Sequence, residues 1–166
     1  CLRYFLICKK HVYVSQQFDI NNFDFEKNLK RTKSYKRFLE AKEDCIVWLG
    51  HATFYIRLGG ITMLTDPIFY RISGVVPRLS SLPCDVKDLK NIDYVLLSHG
   101  HRDHCDQRSL KALARKNEFE MLTSLNMKKQ VGAWLPKTNI QEAGWFQTYL
   151  IKDKKLRITF LPAQHW

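Results

Sequence analysis

Ser98-His99-Gly100-His101-Arg102-Asp103-His104 follows directly on the apolar run Tyr94-Val95-Leu96-Leu97. Three imidazoles and a carboxylate therefore fall together at the mouth of a buried strand. Imidazole nitrogen and carboxylate oxygen are the donors that borderline cations such as zinc prefer. A strand end holds its backbone rigidly, and the loop after it can curl its side chains around an ion. His99 and His101 lie two apart and face one way while the extended geometry lasts. Asp103 and His104 fall beyond the turn and face a second ion. A polar loop with surface histidines is the competing reading, but this four-ligand pattern after a strand rarely arises by chance.

Working outward, the flanks read as strands and helices around that loop. Cys45–Leu49 is an apolar run stopped by Gly50, and Thr53–Leu58 with Ile61–Leu64 reads as a hairpin turned by Gly59-Gly60. Pro67 keeps Asp66 extended and ends the last of these. Residues 68–93 lack periodicity and form a long loop, the kind that is often functional. Arg71, Arg78 and Lys87 in or beside it either meet an anionic substrate or are simply exposed. Beyond the loop, a helix spans 107–116 with Asp106 as N-cap, a strand spans 119–123 and a second helix spans 127–134. Residues 145–151 and 156–161 read as a hairpin around Lys152–Lys155, and Pro162–Trp166 closes the chain.

The 166 residues suit about one domain with a real core, preceded by a lead-in. Residues 1–44 form a basic, aromatic segment with a short helix near 33–42, and 45–166 form the domain. The lead-in either packs its aromatics on the domain or lies on a membrane surface. The net charge of +11 favours anionic partners. Residues 1–44 carry ten Lys/Arg against six Asp/Glu, a net +4, and the rest carries +7. Charge so spread is a solvated surface rather than a nucleic-acid patch, and no nucleic acid is expected as a partner.

Five cysteines (Cys1, Cys8, Cys45, Cys84, Cys105) form no Cys-x-x-Cys pair, which argues for a reducing, cytoplasmic setting rather than a disulfide framework. Cys105 is expected to pack behind the loop rather than to act as a soft ligand. No stretch reaches the roughly 20 apolar residues of a membrane span, so membrane contact would be peripheral and through charge. Leu2–Cys8 is short and apolar, either the remnant of a cut signal or anchor, or a strand. The oligomeric state is not legible.

His99, His101 and a third nitrogen would give zinc the three-ligand, one-open-position site of a hydrolytic centre. His165 is the best third candidate, since it too lies just past an apolar strand. Asp103 and His104 begin a second site, and two cations about 3.5–4 Å apart activate water and clamp both oxygens of a group in displacement. Asp103 is placed to orient that water and carry its proton. Asp66 either accepts an imidazole N–H and fixes a ligand's tautomer, or merely starts a turn before Pro67. His51, after Gly50, either lines the pocket mouth or caps and packs. His11 has no ligand spacing.

These residues resemble the metallo-β-lactamase superfamily, whose His-x-His-x-Asp-His signature appears as His99 to His104. Trp48-Leu49-Gly50-His51-Ala52-Thr53, Leu64-Thr65-Asp66-Pro67-Ile68-Phe69, Ile92–His99 and Pro162-Ala163-Gln164-His165-Trp166 are similar to one branch. That branch contains the N-acylphosphatidylethanolamine-hydrolysing phospholipase D enzymes and their bacterial relatives. The resemblance runs from about Cys45 to Trp166. It implies an α/β (α+β) fold, the αββα sandwich, with two zinc ions between the sheets and water attack on a phosphodiester. His99, His101 and His165 match the ligands of the first metal, Asp103 and His104 match ligands of the second, and Asp66 matches the first-strand Asp. Iron and manganese suit the same donors.

Two departures shape the expectation. The chain stops before the stretch that carries the bridging Asp and the last His, so it is expected to be the N-terminal part of a longer protein, with a broad apolar face open and the second metal weakly held. Cys105 also stands where the branch has an aliphatic residue. Three functions compete: a zinc phosphodiesterase of a phospholipid such as N-acylphosphatidylethanolamine, a hydrolase of another bond such as a sugar-phosphate lactone, and an inactive fragment or binding module.

Overall fold

The computed structural model describes residues 37–40, 42–78, 81–151 and 156–163. Strands β1 (Cys45–Gly50), β2 (Thr53–Leu58) and β3 (Ile61–Thr65) run antiparallel, joined at one end by His51-Ala52 and at the other by Gly59-Gly60. The two glycines take φ of +60° and +85°, the left-handed pair that a two-residue turn matching strand twist requires. Strands β4 (Tyr94–Leu97), β5 (Glu120–Ser124) and β6 (Ile140–Ala143) then add in order, each parallel to its neighbour from β3 onward. Parallel neighbours need crossovers. The 66–93 loop carries the chain from β3 to β4, helix α2 (Gln107–Ala114) from β4 to β5, and helix α3 (Lys128–Trp134) from β5 to β6. Helix α1 (Arg37–Glu40) is a single turn.

Period-two alternation sorts the side chains onto two faces. Leu64, Val95, Leu97 and Met121 join Leu110 and Leu113 of α2 and Val131 of α3 in one core. Met63, Tyr94, Leu96 and Leu122 point the other way and are covered by Tyr149, Leu156 and Ile158. Burial on both faces explains why β4 reads as an unbroken apolar run. One mixed sheet with a helical layer on one face is the half-sandwich α/β architecture expected from the sequence.

Local chemistry explains several boundaries. Asp106 caps α2, its carboxylate accepting the Ser109 N–H at 2.8 Å. The 68–93 loop is anchored by buried Ile68, Phe69, Leu89 and Ile92 and contains a 3₁₀ turn over Val86–Asp88, capped by Asp85. From the lead-in, Phe38 packs edge-on against Tyr55 with ring centroids 5.0 Å apart, and its carbonyl accepts from Arg57 Nη1. Cys45, Cys84 and Cys105 are free thiols, and Cys105 lies in the helix-side core as expected. Residues 1–36 and 41 of the lead-in, including His11, fall outside the described residues.

The expected C-terminal hairpin is corrected to an irregular antiparallel pairing. Among the described residues Thr148 and Thr159 form a single bridge there, with Tyr149 N–H donating to Ile158 O and Phe146 N–H to Phe160 O. Phe146 sits at φ +65°, which interrupts extended backbone where that strand should begin. Strand β6 was not expected: Ile140-Gln141-Glu142-Ala143 is short, and its two central residues are polar.

Candidate metal centre

The sheet topology brings three separate stretches to one edge. The β1–β2 turn, the end of β3 and the end of β4 are neighbours there because Gly50 pairs with Thr53, Phe54 with Thr65, and Thr65 with Leu96. His51, Asp66 and the Ser98–His104 loop consequently meet.

Asp66 is the buried centre of the arrangement. Its backbone takes φ +33° rather than the extended geometry expected before Pro67, held by its own N–H donating to Leu96 O and by Thr53 Oγ1 donating to its carbonyl at 2.8 Å. Its carboxylate accepts the Ser98 N–H on Oδ1 at 2.7 Å and the Ser98 hydroxyl on Oδ2 at 2.6 Å. The same Oδ2 lies 2.8 Å from His104 Nδ1. A carboxylate oxygen can only accept, so His104 carries its proton on Nδ1 and turns the Nε2 lone pair outward. Ser98 has spent its one proton on Asp66, so its Oγ, 2.9 Å from His99 Nδ1, accepts from that ring. One carboxylate thereby sets the tautomer of two histidines, directly for His104 and through Ser98 for His99.

His104 Nε2 lies 3.5 Å from Asp103 Oδ2, and His51 Nε2 lies 3.5 Å from the same oxygen. Ligand-type atoms of His51, Asp103 and His104 all fall within 4.8 Å of one another. The His99 ring stands 4.3 Å from that of His104 and 4.8 Å from that of His101, so the first pair of histidines lies beside this trio. His165 lies outside the described residues. The hydrogen bond that His104 donates to Asp66 holds His104 above the ordinary imidazole range, against the opposing effect of burial. Burial pushes the Asp103 carboxyl up, but backbone hydrogen bonding and the imidazoles of His104 and His51 outweigh it and leave Asp103 below the usual carboxylate range. Behind the loop, burial and then the Asp66 and Asp106 charges push the Cys105 thiol up to about 12, a protonated core residue rather than a thiolate donor.

The donors present fit a borderline divalent cation: imidazole nitrogens whose tautomers are already set, and a carboxylate held ionised. Ser98 was not singled out from the sequence, although a hydroxyl beside the first histidine was a usable signal. Arg78 was read only as an anion contact or a surface residue. It instead inserts between the loop and the β1–β2 turn, donating to Ile68 O at 2.8 Å and Leu49 O at 3.0 Å.

This half-sandwich, with donor side chains gathered at the strand ends, defines the architecture of metal-dependent hydrolases of the metallo-β-lactamase type. A model of the beta-lactamase superfamily domain matches residues 62–166, and the chain belongs to that family. The chain is 31% identical over 132 residues to N-acyl-phosphatidylethanolamine-hydrolyzing phospholipase D 1 of Caenorhabditis elegans, covering 71% of this chain and 36% of that protein. It is 29% identical over 126 residues to the mitochondrial N-acyl-phosphatidylethanolamine-hydrolyzing phospholipase D of Saccharomyces cerevisiae, covering 72% and 26%. The chain thus spans about a third or less of these relatives. Among solved structures, CmlA, a diiron beta-hydroxylase from Streptomyces venezuelae, shares the fold at TM-score 0.56 and 21% identity over 74% of this chain and 24% of its own.

Proposed function

We propose that the protein is a zinc-dependent phosphodiesterase acting on a phospholipid of the N-acylphosphatidylethanolamine class. The observation that carries the hydrolytic reading is the pairing of Asp66 with both Ser98 and His104, which presets imidazoles for a metal. The substrate class rests on similarity to the worm and yeast proteins, whose names give that lipid. His99, His101 and His165 would hold one metal, and Asp103 with His104 part of a second. Bound there, zinc supplies a water nucleophile at neutral pH and withdraws charge from the phosphoryl oxygens. Asp103, kept ionised beside two imidazoles, would be the group placed to orient the attacking water and take up its proton.

An apolar surface at the same sheet edge supports a lipid substrate. Trp145 and Phe146 are 65% and 72% exposed, and a depression of about 370 Å³ opens between Leu125, Ala143, Gly144, Trp145 and Phe160. The net charge of +11 suits a phosphate head group and peripheral contact with an anionic membrane in the cytoplasm. Among the described residues no helix is long and apolar enough to cross a membrane. Full-length protein loaded with zinc, iron(II) or manganese in separate samples is expected to cleave N-acylphosphatidylethanolamine in mixed micelles, with zinc supporting turnover. Turnover of a sugar-phosphate lactone without phosphodiester cleavage would reject the reading.

A further inference from the structure

We infer that His51, on the β1–β2 turn, is itself a metal ligand and completes a three-donor cation site with Asp103 and His104. The inference rests on the reading of the His99–His104 loop as metal-binding, and adds a ligand from a different part of the chain. Zinc–ligand arms of about 2.0–2.1 Å place neighbouring tetrahedral donors about 3.3 Å apart. His51 Nε2 and His104 Nε2 each stand 3.5 Å from Asp103 Oδ2, and the three ligand atoms span no more than 4.8 Å. The two spacings through Asp103 already approach the tetrahedral value, and a cation would draw the two imidazoles closer to bind all three. Two imidazoles and one carboxylate leave open positions for water and suit zinc or iron(II).

The His51 turn is built to hold that ring in place. His51 adopts φ +50°, a left-handed conformation that costs a residue with a Cβ, beside Gly50, which takes φ +107° freely. Three successive side-chain donors hold the turn: Arg78 Nη2 to Leu49 O at 3.0 Å, Trp48 Nε1 to His51 O at 2.8 Å, and Thr65 Oγ1 to Ala52 O at 2.7 Å. The backbone carrying the imidazole is therefore pinned on both sides, while the ring faces Asp103.

The test is titration of Co²⁺ into wild type, H51G, H51N and H101A, read by stoichiometry, affinity and the visible absorption of the bound cobalt. Glycine and asparagine both accept φ +50° more readily than histidine, so the turn survives, and thermal melting checks it. H51G and H51N are each expected to bind one cobalt about tenfold or more weakly, with an altered spectrum for that ion. H101A should affect the other ion. Cobalt affinity and spectrum unchanged in both His51 variants would overturn the inference while leaving the loop reading intact if H101A still lowers uptake. No effect from any variant, or no uptake by wild type, would overturn both.

Discussion

His104 Nδ1 and Asp66 Oδ2 lie 2.8 Å apart although 38 residues separate them. The same oxygen also takes the Ser98 hydroxyl, so a single buried carboxylate at the end of β3 organises the loop after β4. The site's preorganisation is concentrated in that carboxylate, and the first prediction addresses it.

D66N keeps the shape of Asp66 but presents an N–H₂ to at least one existing donor. With that N–H₂ in place of Oδ2, the Ser98 hydroxyl and His104 lose their acceptor, with an expected destabilisation of about 2–5 kcal/mol. Metal affinity should fall about 10–100-fold as the imidazoles lose their set tautomers. Urea unfolding and metal titration measure the two effects; a variant as stable and as tightly metal-binding as wild type would dismiss the role given to Asp66.

S98A removes only the relay from Asp66 to His99. The stability loss should be about 0.5–1.5 kcal/mol, while His104 keeps its direct bond to Asp66. Nitrogen-resolved NMR of the histidine rings should show the His99 tautomer becoming mixed and that of His104 unchanged. Equal disturbance of both rings would contradict the relay.

G50A places a Cβ at φ +107° and against Arg78 Nη2. Backbone strain of about 1–3 kcal/mol follows from the conformation alone, and Arg78 must also give up its bond to Leu49 O. Thermal melting should report a loss larger than that of G59A, whose added Cβ meets nothing within 4 Å.

Tyr149 is buried and donates its hydroxyl to Thr123 O at 2.7 Å. Burial raises its pKa above the usual tyrosine value. The unfolded chain therefore releases this proton first, near pH 10. The stabilisation is intact below that pH and is lost as pH rises from there through the folded value. Y149F should be less stable than wild type at neutral pH and should lose less stability between pH 9 and 11. Parallel stability curves for the two proteins would show that Tyr149 titrates normally.

Much of this architecture was legible because its signals are local. Gly59-Gly60 marks a turn through glycine's access to positive φ, Asp106 marks a helix start through its carboxylate, and the buried run before His99 marks a central strand. Where several weak local signals compete, the reading failed. Ile140–Ala143 joins the sheet because β5 offers an open edge, not because its residues alternate, and the pairing around Thr148 and Thr159 is interrupted at Phe146.

The sequence by itself determined the chemistry of the loop, since His99, His101, Asp103 and His104 sit within one short span and carry their donor character wherever they fold. It also marked β4 as a strand buried on both faces through its unbroken apolar run, whereas the equally apolar β1 leaves Ile46 and Trp48 exposed. Only the tertiary structure decided that His51 faces Asp103, that Arg78 braces the turn beneath it, and that Asp66 orients two rings at once. Those relationships depend on register across β1, β2, β3 and β4, which places turns distant in sequence on one edge. Register is a property of strands pairing with one another, so no single strand's sequence contains it.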